Sequence, residues 1–329
     1  MRILVSGIGL ENFGSKLMLS SLMNNIEGAD WIIELPRNHY SINVKYILPI
    51  VFYKFGSIIP KMLINKVLHR LGVVNIDSID VVIDASGYIH DTESTMPLFT
   101  RKQRLFGTLN KYNIPILVAP HSYSGSATNK IFFRELYSKA VKIYGRDQYT
   151  LEQLKILGVT AVDYSKDFVV SGEYRFRKST QDKLLIIPNF KVDLNDFCRC
   201  VETALKMKQW KTIKVVSFYR KEKMEEFDLL FNLIDSYNQL YTFEYATEDS
   251  EFSASLVISA RFHGVCLAIY SQIDFMIHGW SEKYENLLKE YNLKINEEGV
   301  CITEHISELI IDARLQNQKF FDEVRRFHK

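Results

Sequence analysis

The stretch Leu256-Val-Ile-Ser-Ala-Arg-Phe-His-Gly-Val-Cys-Leu-Ala-Ile-Tyr270 decides how the rest of the chain is read. Leu256 to Ile258 is a short apolar run of the kind that forms a buried strand. Arg261 and His263 stand at its exit, Gly264 follows, and a small, apolar segment suited to a helix comes next. In an open α/β sheet, ligands bind where strands end and helices begin. Free backbone N–H groups and the helix dipole favour an anion there. An arginine beside a titratable histidine at that point fits an anionic substrate that also needs a proton moved. The plainer reading is a buried strand whose exit carries a surface arginine and a capping histidine.

The same alternation runs outward in both directions. Upstream, strands are predicted over 3–6, 31–35, 80–84, 114–119, 141–144 and 159–163, with helices over 15–25, 101–112, 131–138 and 149–157. The polar, charged segment 171–183 reads as a linker. The pattern then restarts, with strands over 184–188, 213–218, 241–245, 256–259 and 273–277, and helices over 194–208, 222–237 and 281–291. A long closing helix is expected over 304–328. Strands alternating with helices imply βαβ units and a mostly parallel sheet, hence an α/β fold. We therefore expect one Rossmann-like domain over 1–172, a second over 183–303, and a C-terminal helix over 304–329. Two such units joined by a linker suit a transferase that holds donor and acceptor face to face while excluding water.

Bulk properties agree with this partition. A chain of 329 residues is long for one core. With 47% apolar and 24% charged residues it has an ordinary globular balance. Its 41 basic and 39 acidic residues leave a formal charge of +2, which argues against a dedicated nucleic-acid binder. Cys198, Cys200, Cys266 and Cys301 have neither zinc-ligand spacing nor a disulfide framework, so reduced thiols in a cytoplasmic protein are expected. No metal constellation is present. The first residues form a strand too quickly followed by polar residues for a signal peptide. The best membrane candidate, 46–71, is interrupted by Lys54, Lys61, Lys66 and Arg70. Its apolar residues recur at helical spacing. It reads either as a helix packed on its own domain or as a basic, apolar patch resting on the inner face of a membrane.

Four further strand exits carry candidate chemistry. The loop from Gly7 through Asn12 and Gly14 to Ser15 resembles a phosphate-binding glycine loop but fits neither the dinucleotide nor the Walker pattern. Ser86 and Gly87 form a turn that could present backbone N–H groups to a ligand. His121 and Ser122 supply an imidazole and a hydroxyl. Arg146 repeats the arginine-at-strand-exit pattern of Arg261, whereas Asp147 is well placed as a helix N-terminal acid. Two guanidiniums could clamp a compact polyanion through bidentate hydrogen bonds. Lys283 would add a third positive charge, unless it is simply a solvated lysine.

Taken together, these segments resemble the polysaccharide pyruvyl transferase family. The resemblance rests on Ile258-Ser-Ala-Arg-Phe-His-Gly264, Ile143-Tyr-Gly-Arg-Asp147, Lys283, Asn12-Phe-Gly14, the Ser86-Gly87 turn and Ser165-Lys-Asp167-Phe168. It implies two facing Rossmann-like domains of the glycosyltransferase-B type, with the acceptor on the first and the donor on the second. It also implies transfer of the pyruvyl carbons of phosphoenolpyruvate onto two sugar hydroxyls in a cell-surface polysaccharide or its precursor, giving a cyclic ketal and phosphate. The resemblance implies phosphoenolpyruvate as the donor substrate and no cofactor. Arg146, Arg261 and His263 look like the donor-holding positions. His263 is expected either as the general acid or as the group that polarises the departing phosphate, with His121 or Asp167 as candidates to take the acceptor's proton. A lipid-linked acceptor would give segment 46–71 a purpose. The leading alternative is a nucleotide-sugar glycosyltransferase, with Glu244, Glu248 or Asp249 holding the ribose. A third reading is a non-catalytic scaffold, against which the intact arginines and histidine argue.

Overall fold

A computed structural model describes residues 1–34, 45–46, 78–91, 96–125, 130–279 and 282–327. Most of segment 46–71 lies outside the described residues. Among those described, no helix is long and apolar enough to cross a membrane. The chain divides into two compact units that do not follow the sequence in two simple halves. Unit 1 comprises Met1–Gly9, Leu22–Asp167 and Gln316–Lys329, and unit 2 comprises Leu10–Ser21 and Phe168–Leu315.

The chain first lays down β1 (Arg2–Ser6), α1 (Phe13–Asn25), β2 (Asp30–Ile33), β3 (Lys45–Tyr46), β4 (Val81–Asp84) and β5 (Tyr88–Asp91). Then come α2 (Met96–Lys111), β6 (Ile116–Gly125), α3 (Lys130–Tyr137), β7 (Lys142–Gly145), α4 (Gln148–Ile156) and β8 (Val162–Tyr164). These eight strands form one sheet, ordered β3-β2-β1-β4-β6-β7-β8 with β5 beside β6. All its pairings are parallel. Leu4, Val82, Ile116, Phe106 and Phe133 belong to the core of this unit.

Unit 2 follows with β9 (Phe176–Lys178), β10 (Lys183–Ile187), α5 (Leu194–Met207), β11 (Thr212–Ser217), α6 (Asp228–Ser236), β12 (Tyr241–Tyr245) and β13 (Phe252–Ala254). It continues through β14 (Leu256–Ser259), α7 (Phe262–Tyr270), β15 (Asp274–Ile277), α8 (Glu282–Glu290) and β16 (Val300–Cys301) into α9 (Ser307–Arg325). The main sheet runs β12-β11-β10-β14-β15-β16. Only β16 is antiparallel among its pairings. Leu185, Ile187 and Val257 enter one core, while Leu184, Ile186 and Ile258 enter the other. Both sheet faces are therefore covered, which is why these strands read as unbroken apolar runs.

Four expectations change. Segment 171–183 is no free linker: β9 pairs in parallel with β13, and Phe176 is buried. The helix expected over 222–237 begins with a 3₁₀ turn at Met224–Phe227 and becomes α6 only at Asp228, leaving Glu222 in a loop. The first loop belongs with the second unit, because Phe13, Leu17 and Met18 lie in its core, where Phe13 meets Phe218 edge-on at 4.9 Å. The closing helix is likewise divided, up to Leu315 with unit 2 and from Gln316 with unit 1.

Candidate functional site

In unit 2 the strand order reverses between β10 and β14, and such a sheet offers a ligand the crevice outside their carboxyl ends. Arg261 stands there as the N-cap residue of α7, in extended backbone. Ser259 Oγ fixes the turn, accepting from the Arg261 N–H at 3.1 Å and donating to the Arg261 carbonyl at 2.8 Å. A Cβ on Gly264 would fall 2.3 Å from that same Oγ and 2.9 Å from Ile187 Cδ1. The glycine is what lets α7 leave its strand so closely.

The guanidinium then reaches across the reversal point. Nε donates to the Pro188 carbonyl at 3.3 Å, and Nη2 forms an ion pair with Glu222 Oε1. Its central carbon lies 5.8 Å from the centre of the Tyr219 ring, within cation–π range. Glu222 is wholly buried; it also accepts from Ser217 Oγ and, at 3.2 Å, from the Phe190 N–H. Burial lowers the Arg261 pKa from its ordinary value, and the Glu222 charge opposes that shift. An arginine so placed stays charged and is held in one orientation.

His263 follows two residues later in the first turn of α7, its ring meeting Phe262 edge-on at 5.6 Å. The Lys283 ammonium lies 5.6 Å from the Phe262 ring centre and 5.3 Å from that of Tyr284. Lys283 is thus seated on aromatic rings rather than merely solvated. Asn12 and Gly14 belong to this unit too. Asn12 bridges Tyr219 through the backbone, and its Oδ1 accepts from the Gly14 N–H at 3.0 Å, which caps α1.

In unit 1 the corresponding reversal lies between β1 and β4. Gly7 turns there with φ +77°, and a Cβ on it would meet Ser86 Oγ at 2.2 Å and Asp84 Oδ1 at 2.8 Å. Ser86 donates to Asp84 at 2.6 Å, while Lys102 Nζ reaches Asp84 Oδ2 at 2.7 Å and Ser86 Oγ at 2.6 Å. Asp84 and Lys102 are both buried. Neither was expected from sequence: Lys102 lies on α2, where lysine spacing alone reads as a solvated face. Gly87 adopts φ +68°, and its carbonyl accepts from the Ser122 N–H at 3.1 Å.

Arg146 is also buried. It donates through Nε to Ser122 Oγ at 2.7 Å and through Nη1 to Asp167 Oδ2 at 3.0 Å. Ser122 in turn donates to Asp147 at 2.7 Å, and Asp147 caps α4 by accepting from Thr150 N–H at 2.8 Å. The C-terminal part of α9 supports this cluster: Asn317 takes a hydrogen bond from Ser165 at 2.8 Å and gives one to the Asp167 carbonyl at 3.2 Å. His121 is enclosed at 1% exposure. Its Nδ1 lies 3.1 Å from the Tyr144 carbonyl, and its Nε2 is 3.5 Å from Tyr137 Oη. Burial pushes its pKa down to about 4. A neutral ring so enclosed holds strands together and is not placed to receive an acceptor's proton.

Within each unit, then, a candidate arginine stands at a strand exit with a buried carboxylate partner. A model of the polysaccharide pyruvyl transferase family matches residues 29–282, more than three quarters of the chain. The chain belongs to that family. Its membership supports a transferase activity, and the matched span includes Arg146, Arg261 and His263 and ends at Glu282, one residue before Lys283. As a polysaccharide pyruvyl transferase family member it also shares a fold with solved glycosyltransferases of the GT-B class. Anabaena HepE in complex with UDP and glucose is 11% identical, with 99% of this chain and 100% of that one covered and a TM-score of 0.54. The same protein with UDP-glucose gives 10% identity, coverage of 98% and 99%, and a TM-score of 0.51. A glycosyltransferase from Rickettsia africae gives 12%, 98% and 92%, with a TM-score of 0.49, too low to bear on the fold. At such identities the likeness speaks for the fold alone. No protein of curated function matches the chain in sequence.

Proposed function

We propose that this family member transfers the pyruvyl group of phosphoenolpyruvate to two hydroxyls of a sugar, forming a cyclic ketal and releasing phosphate. The observation that carries the reading is the Arg261–His263 pair at the β10/β14 reversal. A fixed guanidinium and an imidazole two residues apart suit a small dianion that must be protonated. Two of the five guanidinium N–H donors go to Pro188 and Glu222, and among the described residues Nη1 is left for a ligand. Lys283, seated over Phe262, adds positive charge beside the same helix turn. Arg146, committed to Ser122 and Asp167 within unit 1, is assigned an anion contact on the strength of the family resemblance.

The chemistry divides into balanced steps. His263 delivers a proton to the methylene carbon of the enol, and the adjacent carbon becomes oxocarbenium-like. The first sugar hydroxyl adds there and loses its proton. Phosphate leaves, and the second hydroxyl closes the ring. Of the two protons lost, one balances the proton delivered to carbon and the other departs with phosphate. Ser86, Gly87 and Ser122 are assigned to the acceptor, a sugar of a cell-surface polysaccharide or its lipid-linked precursor. The proposed setting is cytoplasmic, against a membrane if segment 46–71 meets one.

Thermal unfolding with phosphoenolpyruvate tests the donor. A ligand that binds only the folded state raises the midpoint, by about 2.7 kcal/mol of stability at a hundred times its Kd. The expected result is a rise with phosphoenolpyruvate that disappears in Arg261→Ala. A rise with nucleotide diphosphates and none with phosphoenolpyruvate would replace the proposal with a glycosyltransferase.

A further inference from the structure

Gly14 lies in the first turn of α1 with its α-carbon directly against the His263 imidazole. A Cβ added there would fall 2.0 Å from Nδ1, 2.5 Å from Cγ and 2.8 Å from Cε1. Real carbon atoms do not approach a ring so closely, so any side chain at this position must displace the imidazole. The segment bearing Gly14 is itself firmly attached. The Phe13 N–H donates to the Phe218 carbonyl at 2.7 Å, and the Arg220 N–H donates to the Glu11 carbonyl at 3.2 Å. Phe13 and Leu17 are buried in the core of unit 2. On the other side, α7 is fixed by the close contact of Gly264 on Ser259. Neither backbone can retreat without breaking its own packing, so the ring itself is what would yield.

We infer that Gly14 is a positioning residue: it forms the seat on which the His263 imidazole rests, and its missing side chain sets where that ring stands relative to Arg261. This rests on the pyruvyl-transfer reading and deepens it. It also moves the first loop from the acceptor side, where its position in the first domain had placed it, to the element that carries the proposed general acid. The attachment of that loop to residues 218–220 has a further effect. Tyr219, which lies under the Arg261 guanidinium, is bridged to Asn12, two residues before the seat. One short stretch of loop thus fixes the surroundings of both proposed donor groups.

The test uses the full chain, Gly14→Ala, and the Cε1–H resonance of His263, identified by its disappearance in His263→Ala. Alanine is a better helix former than glycine and Gly14 is in a helix turn, so the variant is expected to fold. In free Gly14→Ala the His263 resonance should move from its wild-type position. Its response to phosphoenolpyruvate should fall below about half of the wild-type response, while the ligand's Kd, set by Arg261, stays within about threefold. An unchanged His263 resonance in the free variant would overturn the inference, as would an undiminished response to phosphoenolpyruvate. If Gly14→Ala is poorly folded, Gly14→Ala/His263→Ala decides: removal of the ring makes room, and folding should recover. Persistent misfolding of the double variant would show that Gly14 serves something other than His263. If wild type does not respond to phosphoenolpyruvate at all, the donor reading fails, while the free-protein spectra still decide the seat.

Discussion

Replacing Glu222 by Ala should cost unit 2 about 3 kcal/mol. The Glu222 side chain is 0% exposed and that of Arg261 is 13% exposed. Removing one partner of a buried ion pair typically costs about 3–5 kcal/mol, because the other charge is left buried and unmatched. Arg261 keeps the Pro188 carbonyl and a narrow edge to water, which places the loss at the lower end of that range. The Phe190 N–H sits on an exposed residue and can turn to water, so it adds little. Hydrogen exchange of the β10 and β11 amides reads the stability of this unit without assuming that the whole chain unfolds in one step. A loss of about 3 kcal/mol appears as a roughly hundredfold fall in protection. Glu222→Gln should lose much less, since its carbonyl can still accept from Arg261 and Phe190 while its amide donates to Ser217. Protection in Glu222→Ala within about threefold of wild type would refute the argument that this carboxylate holds the guanidinium.

Lys102→Met should destabilise unit 1 by about 3–5 kcal/mol by leaving the Asp84 carboxylate without its counter-ion. Adding Asp84→Asn should restore part of that loss, a coupling that a thermal double-mutant cycle measures; strict additivity would mean that the pair is not a unit. His121 should make the fold acid-sensitive. Its folded pKa of about 4 lies below the ordinary histidine value of about 6.5, so its contribution is present above about 6.5 and is lost as pH falls through about 4. The loss approaches about 3 kcal/mol, from roughly 1.4 kcal/mol per unit, and His121→Gln should flatten the stability profile in that window.

Much of the scaffold was legible because it follows from local pattern. Apolar runs ending in Gly87, Gly145 and Ser259 announced the central strands, and Arg146 and Arg261 could be placed at strand exits by counting residues from those runs. What could not be read was who partners whom. Glu222 opens a run of helical pattern, and only its place opposite Arg261, 39 residues away, turns it into a buried counter-ion. Lys102 has the spacing of an ordinary helix lysine until α2 sets it over Asp84. The polar segment 171–183 looked like a linker because Phe176 finds its strand partner at Phe252, far along the chain. The glycine at 14 suggested a phosphate loop, since sequence shows a missing side chain but not the imidazole that needs the space.

The exchange of segments between the two units has a consequence during synthesis. Phe13, Leu17 and Met18 are made roughly 150 residues ahead of Val169, yet their core is built from Val169 onward. Unit 1, in turn, lacks Asn317 and Phe320 until α9 is complete, roughly 150 residues after Asp167, or about 10–30 s at usual elongation rates. For that interval the nascent chain carries an apolar N-terminal helix turn with no partner and a sheet without its last support. Both units therefore finish at nearly the same moment, when the ribosome reaches the closing helix. Cutting the gene near codon 172 would yield two fragments, each missing part of its own interior.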